Sequence, residues 1–398
     1  MLTSLSFIFL VGLVMAAICQ RIRLPRIIGM LLTGIVLGPY VLDLLDPSIL
    51  SISSELRQMA LIIILVKAGL SLNLADLKKV GRPAVMLSCV PASFELLGYV
   101  LFAPMILGVN RIEAAVLGAV LAAVSPAVVV PRMVKLMETG YGTKKSIPQM
   151  ILAGASCDDI FVIVLFSTFS GMAQGGSARV MDFVNIPISI VSGILLGAVA
   201  GWLLSLFFET AYAKKHYVRN SMKVIIALGV SFLLMSVETW VKPYISVSGL
   251  LAVVSMACVL KLRSIKAVSA RLSEKFGKLW LAAEVLLFVL VGAAVDIRYT
   301  MGAGLAAVLM IFTALIFRTI GVLICLAGTA LNWKERLFCV IAYLPKATVQ
   351  AAIGSVPMAM GLPCGQIVLS VAVMAILITA PLGALGMDST FEKLLEKE

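Results

Sequence analysis

Apolar runs of membrane-crossing length recur along almost the whole chain, and they dictate what it can fold into. Thirteen can be drawn, at about residues 3–19, 27–45, 56–74, 83–107, 112–137, 148–172, 184–209, 219–239, 246–262, 278–297, 301–328, 335–359 and 363–387. Roughly 20 apolar residues span a bilayer as a helix, and a helix satisfies its own backbone polar groups in hydrocarbon. The expectation is an all-α integral membrane protein with about 13 transmembrane helices. Charged residues are 13% of the chain, against roughly 25% in soluble proteins, which excludes a soluble globular domain. No basic residue precedes the first run and no small-residue cleavage site follows it, so it reads as a retained span.

The basic residues carry their information in position. Of 32 Lys and Arg, 23 fall in alternate connections, around 21–26, 78–82, 132–145, 214–219, 261–278, 334–336 and 393–397. The opposite connections hold four: Arg111, Arg179, Lys242 and Arg298. The positive-inside rule then sets the N-terminus outside and the C-terminus in the cytoplasm. The net charge of +12 is accordingly a topology signal that also suits contact with anionic membrane lipid, and not a sign of nucleic-acid binding. The basic connection 261–278 reads either as an amphipathic segment on the inner leaflet or as a solvated linker. Seven cysteines are scattered without zinc or disulfide spacing and read as small buried residues. His216 falls in a loop and reads as an ordinary loop residue.

Inside the run 147–172 stand two adjacent carboxylates, Asp158 and Asp159. A carboxylate in hydrocarbon is costly, and each of two neighbours opposes ionisation of the other. Glu95 and Glu284 are the other acids inside spans, and Lys67, Arg318 and Lys346 the bases well inside them; Arg57 and Lys223, near span ends, can snorkel. Four acids against three bases leave one acid without a fixed counter-charge, which is what a cation site requires. Depth along the spans pairs Glu95 with Arg318 and Lys67 with Glu284, and sets Lys346 level with Asp158 and Asp159. The first two pairs can be structural; the trio reads as functional.

Spans 3 to 6 and 10 to 13 correspond in the placing of charges and prolines. Seven spans apart, matched helices run in opposite directions, so this is an inverted-topology repeat of the kind secondary transporters use, with span 184–209 as linker. The fifth span contains Ser125-Pro126 and Pro131; the twelfth contains Pro345, Lys346 and Thr348, then Gly354 and Pro357. Proline removes a backbone donor and crowds the preceding turn, so two broken, crossing helices are expected. Their half-helix dipoles would face the site, with freed carbonyls, Ser125 and Thr348 as candidate cation ligands.

The broken helix with Ser125-Pro126, Asp158-Asp159 on the next span and the Pro345-Lys346-Ala347-Thr348-Val349-Gln350 segment resemble the monovalent cation:proton antiporters. The likeness is to sodium/proton antiporters with an Asp-Asp pair, of the bacterial and animal-type branch, and it covers essentially the whole chain. It implies that Asp159 is the main carrier of cation and proton, that Asp158 pairs with Lys346, and that Glu95 and Arg318 form a core ion pair. It also implies a homodimer, with a dimerisation domain at 1–74 and 219–297 and a mobile core at 83–172 and 301–387. Exchange of Na⁺ or Li⁺ for H⁺ needs no cofactor and no enzyme nucleophile. One departure is the helix-five break, where many relatives carry threonine or aspartate and this chain has Ser125-Pro126. A K⁺/H⁺ antiporter, a sodium-coupled organic-anion symporter of related fold and an ion channel are the alternatives. An intramembrane aspartyl protease is disfavoured, because adjacent residues on one helix point about 100° apart. Cysteine use and compactness suggest a bacterial inner membrane.

Overall fold

A computed structural model describes residues 1–22, 24–71, 81–174, 180–213, 218–241, 245, 247–297 and 304–397. Among the described residues the regular structure is helical, apart from one isolated β-bridge between Tyr141 and Lys397. The helices are α1 (Leu2–Arg21), α2 (Arg26–Leu37), α3 (Pro47–Ser51), α4 (Ser53–Ser71), α5 (Arg82–Leu87), α6 (Val90–Leu107), α7 (Arg111–Leu121), α8 (Pro126–Thr139) and α9 (Ile147–Gln174). They continue with α10 (Val180–Ala213), α11 (Asn220–Val241), α12 (Gly249–Arg263), α13 (Lys266–Ala293), α14 (Gly304–Cys325), α15 (Trp333–Ala342), α16 (Thr348–Ile353), α17 (Val356–Ala359) and α18 (Gly365–Leu394). His216, Arg179, Lys242 and Arg298 lie outside the described residues.

Among the described residues nine helical stretches are long and apolar enough to cross a membrane, counting α5 with α6 and α7 with α8. The other four expected spans fall on shorter, more charged or interrupted helices. These are α2 with 12 residues, α4 with Glu55, Arg57 and Lys67, α12 with 15 residues, and the broken series α15 to α17. Two boundaries differ from expectation. The basic connection after α12 is helical from Lys266 and continuous with the following span. The span expected at 83–107 is interrupted between Leu87 and Val90, just before Pro91.

The two broken helices begin alike. Asn110 accepts from the Glu113 amide at 2.9 Å while Glu113 accepts from the Asn110 amide at 2.8 Å. Asn332 and Glu335 do the same at 2.9 and 2.7 Å. Each capping box satisfies two amide donors that helix geometry leaves free at the start of a helix. The same cap thus opens both broken helices.

Packing divides the chain into two compact units: residues 1–57, 73–174 and 285–398, and residues 58–72 and 175–284. In the first, α6 lies along α14 and α7, α9 packs on α7 and α8, and α15 packs on α18. Here Arg57 is buried, not snorkelling, and donates to the Leu290 carbonyl at 3.3 Å near the free C-terminal end of α13. In the second unit α10, at the position of the expected linker, lies along α12. Lys67 in that unit sits 5.9 Å over the Trp280 ring and interacts electrostatically with Glu284.

Candidate ion-binding site

Both interruptions follow from proline. Ser125 is extended (φ −87°, ψ 110°), as the residue before proline must be, and Pro126 opens α8, where a missing N–H costs nothing. Pro345 occupies the second gap, between α15 and α16. The gaps meet directly: the Ser125 amide donates to the Pro345 carbonyl at 2.8 Å.

Ala122 to Ser125 and Lys346 to Thr348 are all buried, so their freed backbone groups need partners inside the protein. Side chains supply them. Asp158 on α9 accepts from the Val124 amide at 2.7 Å. Arg318 on α14 donates through Nε to the Tyr343 carbonyl at 2.5 Å and through Nη1 to the Ala122 carbonyl. Gln350 donates to the Ala123 carbonyl at 2.8 Å and accepts from the Ala347 amide at 2.8 Å. Thr379 on α18 accepts from the Lys346 amide at 2.9 Å.

The charges form a compact cluster. Glu95 Oε2 receives Arg318 Nη1 at 2.6 Å and Lys346 Nζ at 2.5 Å. Arg318 Nη2 stands 3.5 Å from Asp158 Oδ2. All four side chains are at most 1% exposed, and two cations balance two carboxylates. Lys346 is hydrogen-bonded to Glu95 and interacts with Asp158 electrostatically at longer range, while Asp158 faces Arg318. Asp158 Oδ2 is held by the Val124 amide.

Asp159 is the next residue on α9, turned about 100° from Asp158 by helical geometry. It is buried, its Oδ1 has no hydrogen-bond partner, and among the described residues it forms no ion pair. Other buried oxygens without a hydrogen-bond partner at the gaps are Asp158 Oδ1, the Tyr343 hydroxyl, Ser125 Oγ at the N-cap of α8, and Thr348 Oγ1 on the first residue of α16. Carboxylate, hydroxyl and carbonyl oxygens are the ligand types that suit a hard cation. Lys67 and Glu284 belong to the other unit. Thr379 was not singled out from sequence, and Gln350 stood there only as the last residue of the Pro345–Gln350 segment, with no role; the signal of each is a polar residue inside an otherwise apolar run.

Two interrupted membrane helices meeting at a buried, charge-balanced cluster with one further carboxylate define an ion-coupled secondary transporter, not an enzyme. The chain belongs to the sodium/hydrogen exchanger family: the model described as "Sodium/hydrogen exchanger, transmembrane" matches residues 5–393. Human sodium/hydrogen exchanger 9B2 is 36% identical over 393 residues, covering 94% of this chain and 70% of that protein. Human sodium/hydrogen exchanger 9B1 is 32% identical, covering 100% and 78%. The fold is shared with the sodium proton antiporter MjNhaP1 of Methanocaldococcus jannaschii, with a TM-score of 0.83 at 22% identity over 98% of this chain and 97% of that one.

Proposed function

We propose that this chain is a secondary active antiporter exchanging Na⁺ or Li⁺ for H⁺ by alternating access, with Asp159 binding cation and proton in turn. The observation that carries the reading is the buried, unpartnered Asp159 oxygen beside a cluster whose own charges cancel. A buried carboxyl is tolerated when protonated, or when a cation neutralises it. Proton and cation therefore exclude each other at one group, and that exclusion couples their fluxes. Asp158 orders the first gap through Val124 and adds negative potential next to Asp159. Ser125 and Thr348 supply hydroxyl ligands. The names of the relatives, sodium/hydrogen exchangers, support the same ion pair as cargo.

The rest of the reading is drawn from sequence. Loop charges support an outside N-terminus and a cytoplasmic C-terminus, in contact with anionic lipid. We propose a homodimer built through 1–74 and 219–297, with 83–172 and 301–387 as the moving core and 184–209 as linker, in a bacterial inner membrane.

The test is reconstitution with a proton pump and a pH-sensitive dye. Na⁺ or Li⁺ should dissipate the gradient with wild type and not with a folded Asp159→Asn variant. Exchange retained in that variant would remove Asp159 as carrier. A response to K⁺ alone would make the protein a K⁺/H⁺ antiporter, and no response to any of the three would favour the organic-anion symporter.

A further inference from the structure

We propose that Gln350 is a positioning residue for the transported cation: its side-chain amide sets the spacing of the two helix gaps, and with it cation affinity and size selectivity. The inference rests on the antiporter reading above. Gln350 is fully buried at the third position of α16. Its Oε1 accepts from the Ala347 amide at 2.8 Å, within the second gap. Its Nε2 donates to the Ala123 carbonyl at 2.8 Å, in the first gap, and reaches the Leu121 carbonyl at 3.4 Å, at the end of α7.

The first of these contacts alone would be a local cap, of the kind a glutamine at this position makes with the amide three residues earlier. The Nε2 contacts have no local purpose: they reach another helix more than two hundred residues away in the chain. The amide is planar and its donors and acceptor are fixed relative to one another, so it holds Ala123 and Ala347 in one register. Ala123 lies two residues before Ser125, and Ala347 immediately precedes Thr348. Any slip between the gaps therefore moves the two hydroxyl oxygens relative to each other. A slip of a few tenths of an ångström is felt differently by Li⁺ and Na⁺, which differ in radius by a similar amount.

Arg318 also bridges the gaps, from the Ala122 carbonyl to the Tyr343 carbonyl, but it carries charge and is bonded to Glu95. Gln350 is neutral. Its loss leaves the balance among Glu95, Asp158, Arg318 and Lys346 untouched, so geometry can be altered apart from electrostatics.

The experiment compares wild type, Gln350→Leu and Gln350→Asn in proteoliposomes, measuring KM and Vmax for Na⁺ and Li⁺. Gln350→Leu should raise KM for Na⁺ about fivefold, the size expected for losing one or two neutral hydrogen bonds, and shift the Li⁺/Na⁺ ratio of KM, with Vmax per folded protein little changed. Gln350→Asn keeps the amide but is one methylene too short to hold Ala347 and Ala123 together, and should shift the ratio in the same direction. A purely structural role would lower the folded fraction and leave the ion ratio alone. Unchanged KM and unchanged ion ratio in Gln350→Leu overturn the inference. If that variant does not fold, an unchanged ion ratio in Gln350→Asn overturns it instead. Absence of cation-driven exchange in wild type would count against the antiporter reading, whatever the variants do.

Discussion

Lys346 donates its ammonium to Glu95 at 2.5 Å, so the lysine of the second gap is hydrogen-bonded to a carboxylate of α6 and acts on Asp158 of α9 only at longer range. Arg318 shares the same Glu95 oxygen. Glu95 is thereby the common anchor of Lys346 and Arg318, and Asp159 forms no ion pair with either.

Glu95→Gln should destabilise the protein strongly. Removing one partner of a buried ion pair costs about 3–5 kcal/mol, and here two cations lose it. Asp159→Asn removes no hydrogen bond or ion pair seen among the described residues, and it deletes a buried carboxylate that has no fixed counter-charge. Its melting temperature should equal or exceed wild type. Thermal unfolding of both variants in one detergent decides the point: a comparable loss in each would contradict the charge assignment.

Thr379→Val should be destabilising and Thr379→Ser nearly neutral. The Thr379 hydroxyl accepts from the Lys346 amide and donates to the Ala375 carbonyl at 2.7 Å. Valine keeps the shape and leaves the buried amide unpaired, at a cost of about 1–3 kcal/mol. Equal melting temperatures for the two variants would show that the amide finds another partner.

Gly154→Ala should lower both stability and exchange, and Tyr343→Phe should restore much of each. A Cβ at residue 154 would collide with Tyr343 Oη and stand 2.9 Å from Leu87 Cβ. Tyr343 is fully buried and its backbone carbonyl is an Arg318 ligand, so a displaced ring pulls on the second gap. Overpacking of this kind costs about 1–3 kcal/mol. The Tyr343 hydroxyl has no hydrogen-bond partner, so phenylalanine makes room without leaving a polar group stranded. A double variant as impaired as Gly154→Ala alone would place the strain elsewhere.

Lys145 ties the connection before α9 to the start of α15. Its ammonium lies 2.9 Å from both oxygens of buried Glu335, and those hydrogen bonds hold the lysine above its ordinary range. A raised folded value means a contribution fully present below the unfolded lysine value of about 10.4, and lost as pH rises through the folded one. Lys145→Met should therefore lower the melting temperature equally at pH 6 and pH 8, with the difference closing only in stronger alkali. A difference that already closes between pH 6 and pH 8 would assign the effect to another group.

Much of the site was legible in the linear order. The prolines at 126 and 345 announced both gaps, because a missing amide and a crowded ring interrupt a helix wherever it runs. Asp158, Asp159, Glu95, Arg318 and Lys346 stood out because charge inside an apolar run is expensive. The paired capping boxes at Asn110 and Asn332 are equally visible in sequence, as Asn followed three residues later by Glu.

Position along a helix follows from the sequence itself, at about 1.5 Å per residue, so the sequence alone determined the apolar spans, the broken helices and which charges stand inside them. Azimuth is different. Which face of α9 meets the first gap, and which carboxylate lies nearest Lys346, depend on how helices far apart in the chain are arranged around one another. Only the tertiary structure could bring Arg318 and Lys346 to one Glu95 oxygen, assign Gln350 and Thr379 to the freed backbone, and leave Asp159 without an ion pair among the described residues. The reason is physical: hydrogen bonds and buried ion pairs form only over about 3–4 Å, a distance set by packing and not by sequence separation.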